Sequence, residues 1–395
     1  MALSICFAAG ALGPSGGVRA IMRHATALAR DHGMDVSLAL DSPEGADVAG
    51  LPVLTFEQAQ DRSFDVAIAT WWRTAYSNMR VPARRHAYFV QQLEDRLYRD
   101  GDVERFGAAL THVLPGYFLS EARWIGELLE ELQGGAVCLH VPNGIDKGLF
   151  VPPRQRDPAA TLRVLVEGSP RLWYKGIAEA VEVLRRVEAP LDTTLVTPEP
   201  PPPEIGAAFD RVAGPLEHAA MAAVYGSNDV LLKLSRVEGV FTPPLEAFHT
   251  GATCVVWPVT GHDEYVEHGR NGVVCDFDDI AGTARWLELL ARDRTLLDRL
   301  RAGALETAAG WPSWEDASAR FADAVRSIAA AEAPPPLDAA QLLGDVEAAM
   351  TEQRMAQRSL LRRAQAAERR VERLESTPAV RAQARAKRLL ASFRR

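Results

Sequence analysis

Short apolar runs alternate along the chain with longer segments whose apolar residues recur at helical spacing. Runs of about four to eight apolar residues are typical of strands buried on both faces. They occur at 3–9, 34–40, 64–70, 85–91, 136–142, 162–167, 193–197, 229–234 and 253–259. Helical patterns lie between and after them, at 18–32, 120–133, 279–308 and 313–330. This alternation predicts an α/β fold with parallel sheets.

Two proline-rich segments divide the chain, one at 152–158 and one at 333–337. Segments rich in proline are extended and act as stiff spacers. With 395 residues, the chain is also long for a single domain. We therefore predict an N-terminal domain at 1–150, a second domain at 151–330, a linker at 331–337 and a basic helical tail at 338–395.

The composition favours a soluble protein. The chain is 47% hydrophobic and 24% charged, and no apolar run approaches the roughly 20 residues of a transmembrane helix. The first residues, MALSICFAAG, lack a positively charged region, so we expect no signal peptide and a cytoplasmic location. The four cysteines stand apart in apolar runs, which favours buried thiols over disulfides or metal ligands.

The segment 346–395 differs from the rest in charge. It contains 13 Lys and Arg against 5 Asp and Glu, although the whole chain carries a net charge of −8. Imperfect heptads at 345–375 predict a coiled coil and hence a homo-oligomer. The basic segment 379–395 instead predicts peripheral contact with an anionic membrane, at its inner face. A solvated helix is the third alternative, and we expect no nucleic-acid partner.

The stretch 231–276 carries the densest chemical signal. An apolar strand leads into a turn with Glu238, and Thr242 is predicted as the N-cap of a helix with Glu246 in its first turn. Ligands of open α/β sheets bind beyond the carboxyl ends of the strands, where both glutamates should lie. Carboxylates suit sugar hydroxyls and helix-start amides suit phosphates, which predicts a sugar-nucleotide site. The alternative for each glutamate alone is a helix-dipole contact without a ligand.

Further candidates follow strands in the first half. A glycine-rich loop ends in Gly16 and Gly17, where backbone amides can approach a phosphate or a sugar ring, although tight turns also explain glycines. The pair Trp71–Trp72 follows one strand, and Gln92 and Glu94 follow the next. We predict that these four side chains line a cleft and contact an acceptor, with core or rim packing as the alternative for the tryptophans.

The pattern of Glu238-Gly239, Pro243-Pro-Leu-Glu246-Ala and Gly269-Arg-Asn-Gly272 resembles the donor-site signature of retaining glycosyltransferase family 4. This resemblance implies the GT-B fold, in which an acceptor domain and a donor domain, both Rossmann-like, face each other across a cleft. The phrase from Tyr88 to Glu94 resembles a bacterial subgroup that includes rhamnosyltransferases.

The resemblance also implies roles for individual residues. Glu238 would contact the donor sugar, Glu246 the ribose, and Arg171 and Lys175 the diphosphate, although the Arg–Lys spacing is one residue shorter than usual. The remaining donor-binding positions are Gly16, Gly17, Gly239, Val240, Phe241 and Thr242. At Phe241 the family usually has glycine or another small residue.

We therefore predict a retaining transferase that moves a hexose or deoxyhexose from a nucleotide diphosphate-sugar to a hydroxyl of a glycan, lipid or metabolite, as in bacterial polysaccharide biosynthesis. We expect no cofactor and no metal, and we interpret Asp278 and Asp279 as acidic residues before a helix. One alternative is a sugar-nucleotide 2-epimerase of the same fold. The other is a catalytically silent sugar-nucleotide-binding partner in a larger assembly.

Overall fold

The computed structural model describes residues 2–13, 15–41, 48, 50–133, 137–153 and 161–332, together with residues 351, 355, 358, 359 and 362. The predicted linker, coiled coil and membrane-contacting segment lie almost entirely outside the described residues. In the part that is described, no helix combines the length and apolar character that crossing a membrane requires.

Seven parallel strands form the sheet of the first domain, in the order β3-β2-β1-β4-β5-β6-β7. They are β1 Ser4–Ala9, β2 Asp35–Leu40, β3 Val53–Thr55, β4 Phe64–Ala69, β5 Ala83–Val90, β6 Tyr117–Ser120 and β7 Cys138–His140. The α-helices between them are α1 Gly16–Arg30, α2 Phe56–Gln60, α3 Trp72–Asn78, α4 Val103–Leu110 and α5 Arg123–Gln133. Short 3₁₀ helices occupy Glu94–Leu97 and Thr111–Val113.

Six parallel strands form the second sheet, in the order β10-β9-β8-β11-β12-β13. They are β8 Leu162–Glu167, β9 Leu191–Val196, β10 Arg211–Ala213, β11 Val230–Lys233, β12 Thr253–Val256 and β13 Gly272–Val274. The helices in this half of the chain are α6 Ile177–Leu184, α7 Pro203–Gly206, α8 His218–Ser227, α9 Thr242–His249, α10 Ile280–Arg292, α11 Arg294–Gly310 and α12 Trp314–Ala330. The 3₁₀ helices Trp173–Lys175 and His262–Glu264 lie in its loops.

This architecture confirms the predicted pair of Rossmann-like α/β domains. All nine predicted strands are present, although β7 is shorter than the apolar run at 136–142. The predicted helix at 279–308 is in fact two helices, because the Asp293 side chain accepts a hydrogen bond from the Leu296 amide and starts α11. Short strands such as β3 and β10 were not predicted, since three residues are too few to show a hydrophobic period.

The last helix of the second predicted domain packs on the first sheet. Phe321, Val325 and Ile328 of α12 are buried in the same core as Ile5 and Phe7 of β1. The chain therefore crosses between the domains twice, once before β8 and once before α12.

The two crossings are bonded to each other. The Ile145 amide donates to the Pro312 carbonyl at 3.2 Å, and the Trp311 indole donates to the Asn143 carbonyl at 3.0 Å. The Asn143 side chain in turn donates to the Glu121 carboxylate at the end of β6, where burial raises the pKa of Glu121 to about 8. These contacts therefore join the two segments through which the chain passes between the domains.

The contact between α1 and α12 contains a buried histidine. The His24 ring stacks on Phe321 with centroids 4.4 Å apart, and its Nδ1 lies 3.2 Å from the Ser318 hydroxyl. Burial lowers the pKa of His24 to about 4. The unfolded chain, with a histidine pKa of about 6.5, therefore binds more protons than the folded protein between these two values.

We predict that stability falls as the pH is lowered from 6.5 toward 4, and that His24 accounts for part of the loss. The contribution of a depressed histidine pKa is fully present above pH 6.5 and changes by at most about 1.4 kcal/mol per pH unit below it. Denaturant unfolding at pH 7.5, 6 and 5 should show a flatter pH dependence for His24→Phe than for wild type. His32→Phe, outside the core, is the matched control, and equal pH slopes for wild type and His24→Phe would contradict the assignment.

Candidate active site

A buried ion pair lies at the C-terminal edge of the second sheet. Lys175 ends the 3₁₀ helix that follows β8, and its Nζ donates to Oε1 of Glu238, in the loop after β11, at 2.8 Å. Burial opposes both charges, but the carboxylates of Glu238 and Glu167 outweigh it and raise the pKa of Lys175. For Glu238, burial is likewise outweighed, and Lys175 and Lys233 lower its pKa. The pair is therefore ionised at neutral pH.

Glu246 lies beside this pair, but its pKa is shifted in the opposite direction from that of Glu238. It is the fifth residue of α9, so it lies beyond the predicted first turn and the helix dipole does not account for it. Its carboxylate interacts with the Tyr225 hydroxyl of α8. Burial and the neighbouring Glu167 raise the pKa of Glu246 to about 7. Glu246 therefore titrates close to neutral pH, whereas Glu238 does not.

A second ion pair, which the sequence analysis did not identify, lies below the first. Lys233, the last residue of β11, is 1% exposed, and its Nζ donates to both the carbonyl and the Oε2 atom of Glu167, at 2.7 and 2.5 Å. Lys233 also lowers the pKa of both Glu238 and Glu246. The one available sequence signal was a lysine at the end of an otherwise apolar strand.

The loop from Gly239 to Thr242 contacts both domains. The Gly239 backbone lies against the Gln91 carbonyl, where a Cβ atom would overlap it, and the Gly239 carbonyl accepts a hydrogen bond from the Trp124 indole at 3.0 Å. The Val240 side chain is buried among residues of the first domain. Gly239 has no side chain and that of Val240 is buried, so both residues present only backbone atoms to the cleft.

Phe241, rather than the predicted Thr242, is the N-cap of α9, because α9 already includes Thr242. Phe241 has a left-handed backbone with φ of 57°, a conformation that costs a residue with a side chain about 1–3 kcal/mol. The ring is 1% exposed in the core beneath α9, and the Tyr265 hydroxyl donates to its carbonyl. The large side chain therefore points away from the cleft, and packing compensates for the strain.

The glycine loop of the first domain reaches the same cleft. Gly16 and Gly17 form the first turn of α1, two residues earlier than predicted for the helix start, and the Ser15 side chain caps it. The Gln91 amide donates to the Gly17 carbonyl at 3.0 Å, and a Cβ atom at Gly17 would overlap Gln91. One helical turn further along α1, Arg19 acts to lower the pKa of Glu246, and its guanidinium lies 2.7 Å from Nδ1 of His218 in α8. The start of α1 therefore faces Glu246 and α8 of the second domain.

Arg171 is exposed on the loop between β8 and Lys175, with its amide 3.2 Å from the Ser169 hydroxyl. Farther along the same loop, the half-exposed Trp173 donates from its indole to the Leu97 carbonyl of the first domain at 3.4 Å. The loop thus spans the cleft, and the phosphate role of Arg171 stays a prediction.

The four acceptor candidates have different surroundings. Trp71 is partly exposed against Gly10, and the Arg73 guanidinium lies over its ring at 5.6 Å. Trp72 is 8% exposed and packs on Tyr98, with its indole 3.1 Å from the Tyr98 hydroxyl. Gln92 is half-buried beside Gly239. Only Trp71 and Gln92 therefore present accessible side-chain surface, and acceptor contact stays a prediction for all four.

Glu94 has a structural task. Its Oε2 accepts hydrogen bonds from the Trp72 amide at 2.6 Å and from the Tyr88 hydroxyl at 2.9 Å. Burial raises its pKa to about 7. Glu94 therefore holds the start of α3 against β5.

The acidic residues near α10 are engaged locally. Asp278 accepts from Arg236 at 2.5 Å, and Asp279 caps α10 through the Gly282 amide at 2.7 Å. This agrees with their interpretation as residues before a helix. Among the residues described, no group of three or more His, Cys, Asp or Glu side chains could hold a metal ion.

Comparison with solved structures defines the fold class. Sucrose-phosphate synthase from Thermosynechococcus elongatus superposes with a TM-score of 0.70 over 83% of this chain and 99% of its own, at 15% identity. Anabaena HepE, solved in complex with UDP and glucose, superposes with a TM-score of 0.66 over 82% of this chain and 100% of its own, at 16% identity. The protein therefore has the GT-B fold of two facing Rossmann-like domains.

Sequence comparison finds similarity to glycosyltransferases within the second domain. Residues 161–293 match the family model described as glycosyl transferases group 1. D-inositol 3-phosphate glycosyltransferase 1 of Catenulispora acidiphila is 33% identical over 117 residues. That alignment covers 30% of this chain and 28% of the relative's length.

We predict that Glu94→Ala destabilises the protein by about 2–4 kcal/mol, because it leaves the Trp72 amide and the Tyr88 hydroxyl buried without their acceptor. Gln92→Ala, two residues away, should change the free energy of unfolding by less than about 0.5 kcal/mol. Urea unfolding of both variants provides the measurement. Equal stabilities for the two would show that Glu94 does not hold α3.

Proposed function

We propose that the protein is a retaining glycosyltransferase that transfers a hexose or deoxyhexose from a nucleotide diphosphate-sugar to a hydroxyl acceptor. The observation that carries the proposal is the ionised Lys175–Glu238 pair at the C-terminal edge of the second sheet, with Glu246 beside it. A buried cation next to a carboxylate suits a ligand in which a phosphate adjoins a sugar. The group 1 match over the same residues supports this interpretation.

The reaction breaks the bond between the anomeric carbon and the diphosphate oxygen and forms a bond from that carbon to the acceptor oxygen. Lys175, Arg171 and the amides at the start of α9 would stabilise the negative charge that develops on the diphosphate. Glu238 would hold the sugar hydroxyls. The acceptor proton would pass to the departing phosphate on the same face of the sugar, so that configuration is retained without a separate protein base.

UDP-sugars are the first donors to test, because HepE was solved with UDP, with UDP and glucose, and with UDP-glucose. We propose that the protein needs neither a resident cofactor nor a metal. The tail at 338–395 would serve assembly or contact with an anionic membrane rather than chemistry. The sequence resemblance to rhamnosyltransferases makes dTDP-rhamnose a second donor to include.

A donor screen tests this function. UDP-, GDP- and dTDP-sugars are compared by thermal shift, since ligands that bind only the folded state raise its stability. Turnover of the best donor is then followed with and without EDTA, and the anomeric configuration of the product is read by NMR. An epimerised sugar nucleotide would favour the epimerase alternative. Binding without transfer or donor hydrolysis would favour a silent binding partner.

We predict that substitutions of the ion pair separate binding from turnover. Glu238→Ala should leave the Kd for UDP within about threefold and strongly reduce turnover, because only the sugar loses its partner. Lys175→Ala should reduce turnover by roughly ten- to a hundredfold or more, since charge on the phosphate is greatest in the transition state.

Each of these variants leaves a buried charge without its partner, so folding is checked first by circular dichroism and urea unfolding. Lys147→Ala, whose exposed ammonium group donates to the Ala309 carbonyl rather than to the charged cluster, is the matched control and should turn over like wild type. A folded Glu238→Ala variant with wild-type turnover would rule out the assigned donor site.

We further predict that UDP affinity rises with pH through about 7 because of Glu246. A ribose hydroxyl donates more strongly to an ionised carboxylate than to a protonated one, and the pKa of Glu246 is about 7. Titration calorimetry between pH 6 and 8.5 should show this rise in wild type and a smaller one in Glu246→Gln. The phosphate of UDP also titrates in this range, so the difference between the two slopes is the test, and equal slopes would contradict the role of Glu246.

A further inference from the structure

Lys233 is an unusual residue for its position. It ends β11, a central strand whose other residues are Val230, Leu231 and Leu232, and its side chain is 1% exposed. Burying an ammonium group is costly, and replacing a buried ion pair by apolar residues is often neutral or stabilising. Stability alone therefore favours an apolar residue here, and the lysine needs another explanation.

The register of the sheet places Lys233 beside Glu167. Leu232 pairs with Val166 and Leu231 with Leu165, so the next residues of both strands are neighbours at the C-terminal edge. Side chains alternate along a strand, and Leu165 and Leu231 belong to the core cluster under α8 and α9. Glu167 and Lys233 consequently point to the same face of the sheet as Glu246 and Tyr225.

Glu167 is held on one side and open on the other. Among the described contacts, its Oε2 and its carbonyl accept hydrogen bonds from Lys233, while Oε1 accepts none. The Glu167 side chain is 26% exposed, whereas Lys233 beneath it is covered. One oxygen of the Glu167 carboxylate is therefore left to accept a hydrogen bond from a ligand in the cleft.

The neighbours of Glu167 indicate which part of a donor it would meet. Its negative charge contributes to raising the pKa values of Glu246, Tyr225 and Lys175. The pKa of Glu238, which the proposed function places at the sugar, is instead shifted mainly by burial, Lys175 and Lys233. Glu167 thus lies on the side of the site where the proposed function places the ribose.

We propose that Glu167, positioned by Lys233, accepts a hydrogen bond from one ribose hydroxyl of the donor while Glu246 accepts from the other. This inference rests on the proposed function. It makes the site favour ribonucleotides, which carry both hydroxyls, over 2′-deoxyribonucleotides such as dTDP, and it makes Lys233 a positioning residue that orients the Glu167 carboxylate.

The test combines two variants with three nucleotides. Wild type, Glu167→Gln and Lys233→Met are titrated calorimetrically with UDP, 2′-deoxy-UDP and 3′-deoxy-UDP. We expect Glu167→Gln to weaken UDP binding roughly ten- to a hundredfold, the effect of losing a hydrogen bond to a charged group. One of the two deoxy nucleotides lacks the ribose hydroxyl that Glu167 binds, and wild type and Glu167→Gln should bind that nucleotide with equal Kd. For the other deoxy nucleotide the loss should persist, and Lys233→Met should follow the same pattern.

Glu182→Gln on the surface of α6 and Lys147→Met are matched controls that should keep the wild-type Kd for all three nucleotides. If Glu167→Gln does not fold, Glu167→Asp, which keeps the charge but shortens the reach, takes its place with the same expectation. A Kd for UDP that is unchanged in the folded variant, or a loss that is equal for all three nucleotides, overturns this inference alone. A wild-type protein that binds neither UDP nor GDP overturns the proposed function as well.

Discussion

The C-terminal edge of the second sheet depends on pairing carboxylates that are largely out of water with buried or partly buried cations. A carboxylate out of water loses its charge unless a cation or hydrogen-bond donors compensate for the lost hydration. Lys175 does this for Glu238, and Lys233 forms an ion pair with Glu167. Glu246 has a tyrosine and a more distant arginine instead, and its pKa is accordingly raised to about 7. Three neighbouring glutamates therefore differ in chemistry because their partners differ.

The second constraint is that the two domains share the loop that forms this site. Val240 is buried in the first domain, Gly239 lies against Gln91, and Phe241 anchors the same loop in the second domain. Helix α12 returns to the first sheet, and the crossings are hydrogen-bonded to each other at Asn143 and Trp311. A relative movement of the domains would therefore displace the backbone that leads into α9.

Several residues show why prediction from the sequence succeeded in some places and failed in others. Lys175 and Glu238 lie in the loops that follow β8 and β11, and parallel strands bring such loops to one edge, so their place at a common edge could be predicted. Glu94 also follows a strand, but it turns inward to the Trp72 amide, which no local pattern reveals. The left-handed backbone of Phe241 could not be predicted from the sequence either, because residues with a side chain rarely adopt this conformation.

The sequence by itself determined the order of strands and helices, the two-domain architecture and the edge where the charged residues gather. These follow from local periodicity and from the geometry of parallel sheets, which depend on neighbouring residues. Only the tertiary structure decided which carboxylate pairs with which lysine, that Lys233 lies beneath Glu167, and that α12 belongs against the first sheet. Those outcomes depend on strand register and on contacts between distant segments, and a pKa is set by such contacts rather than by the residue type.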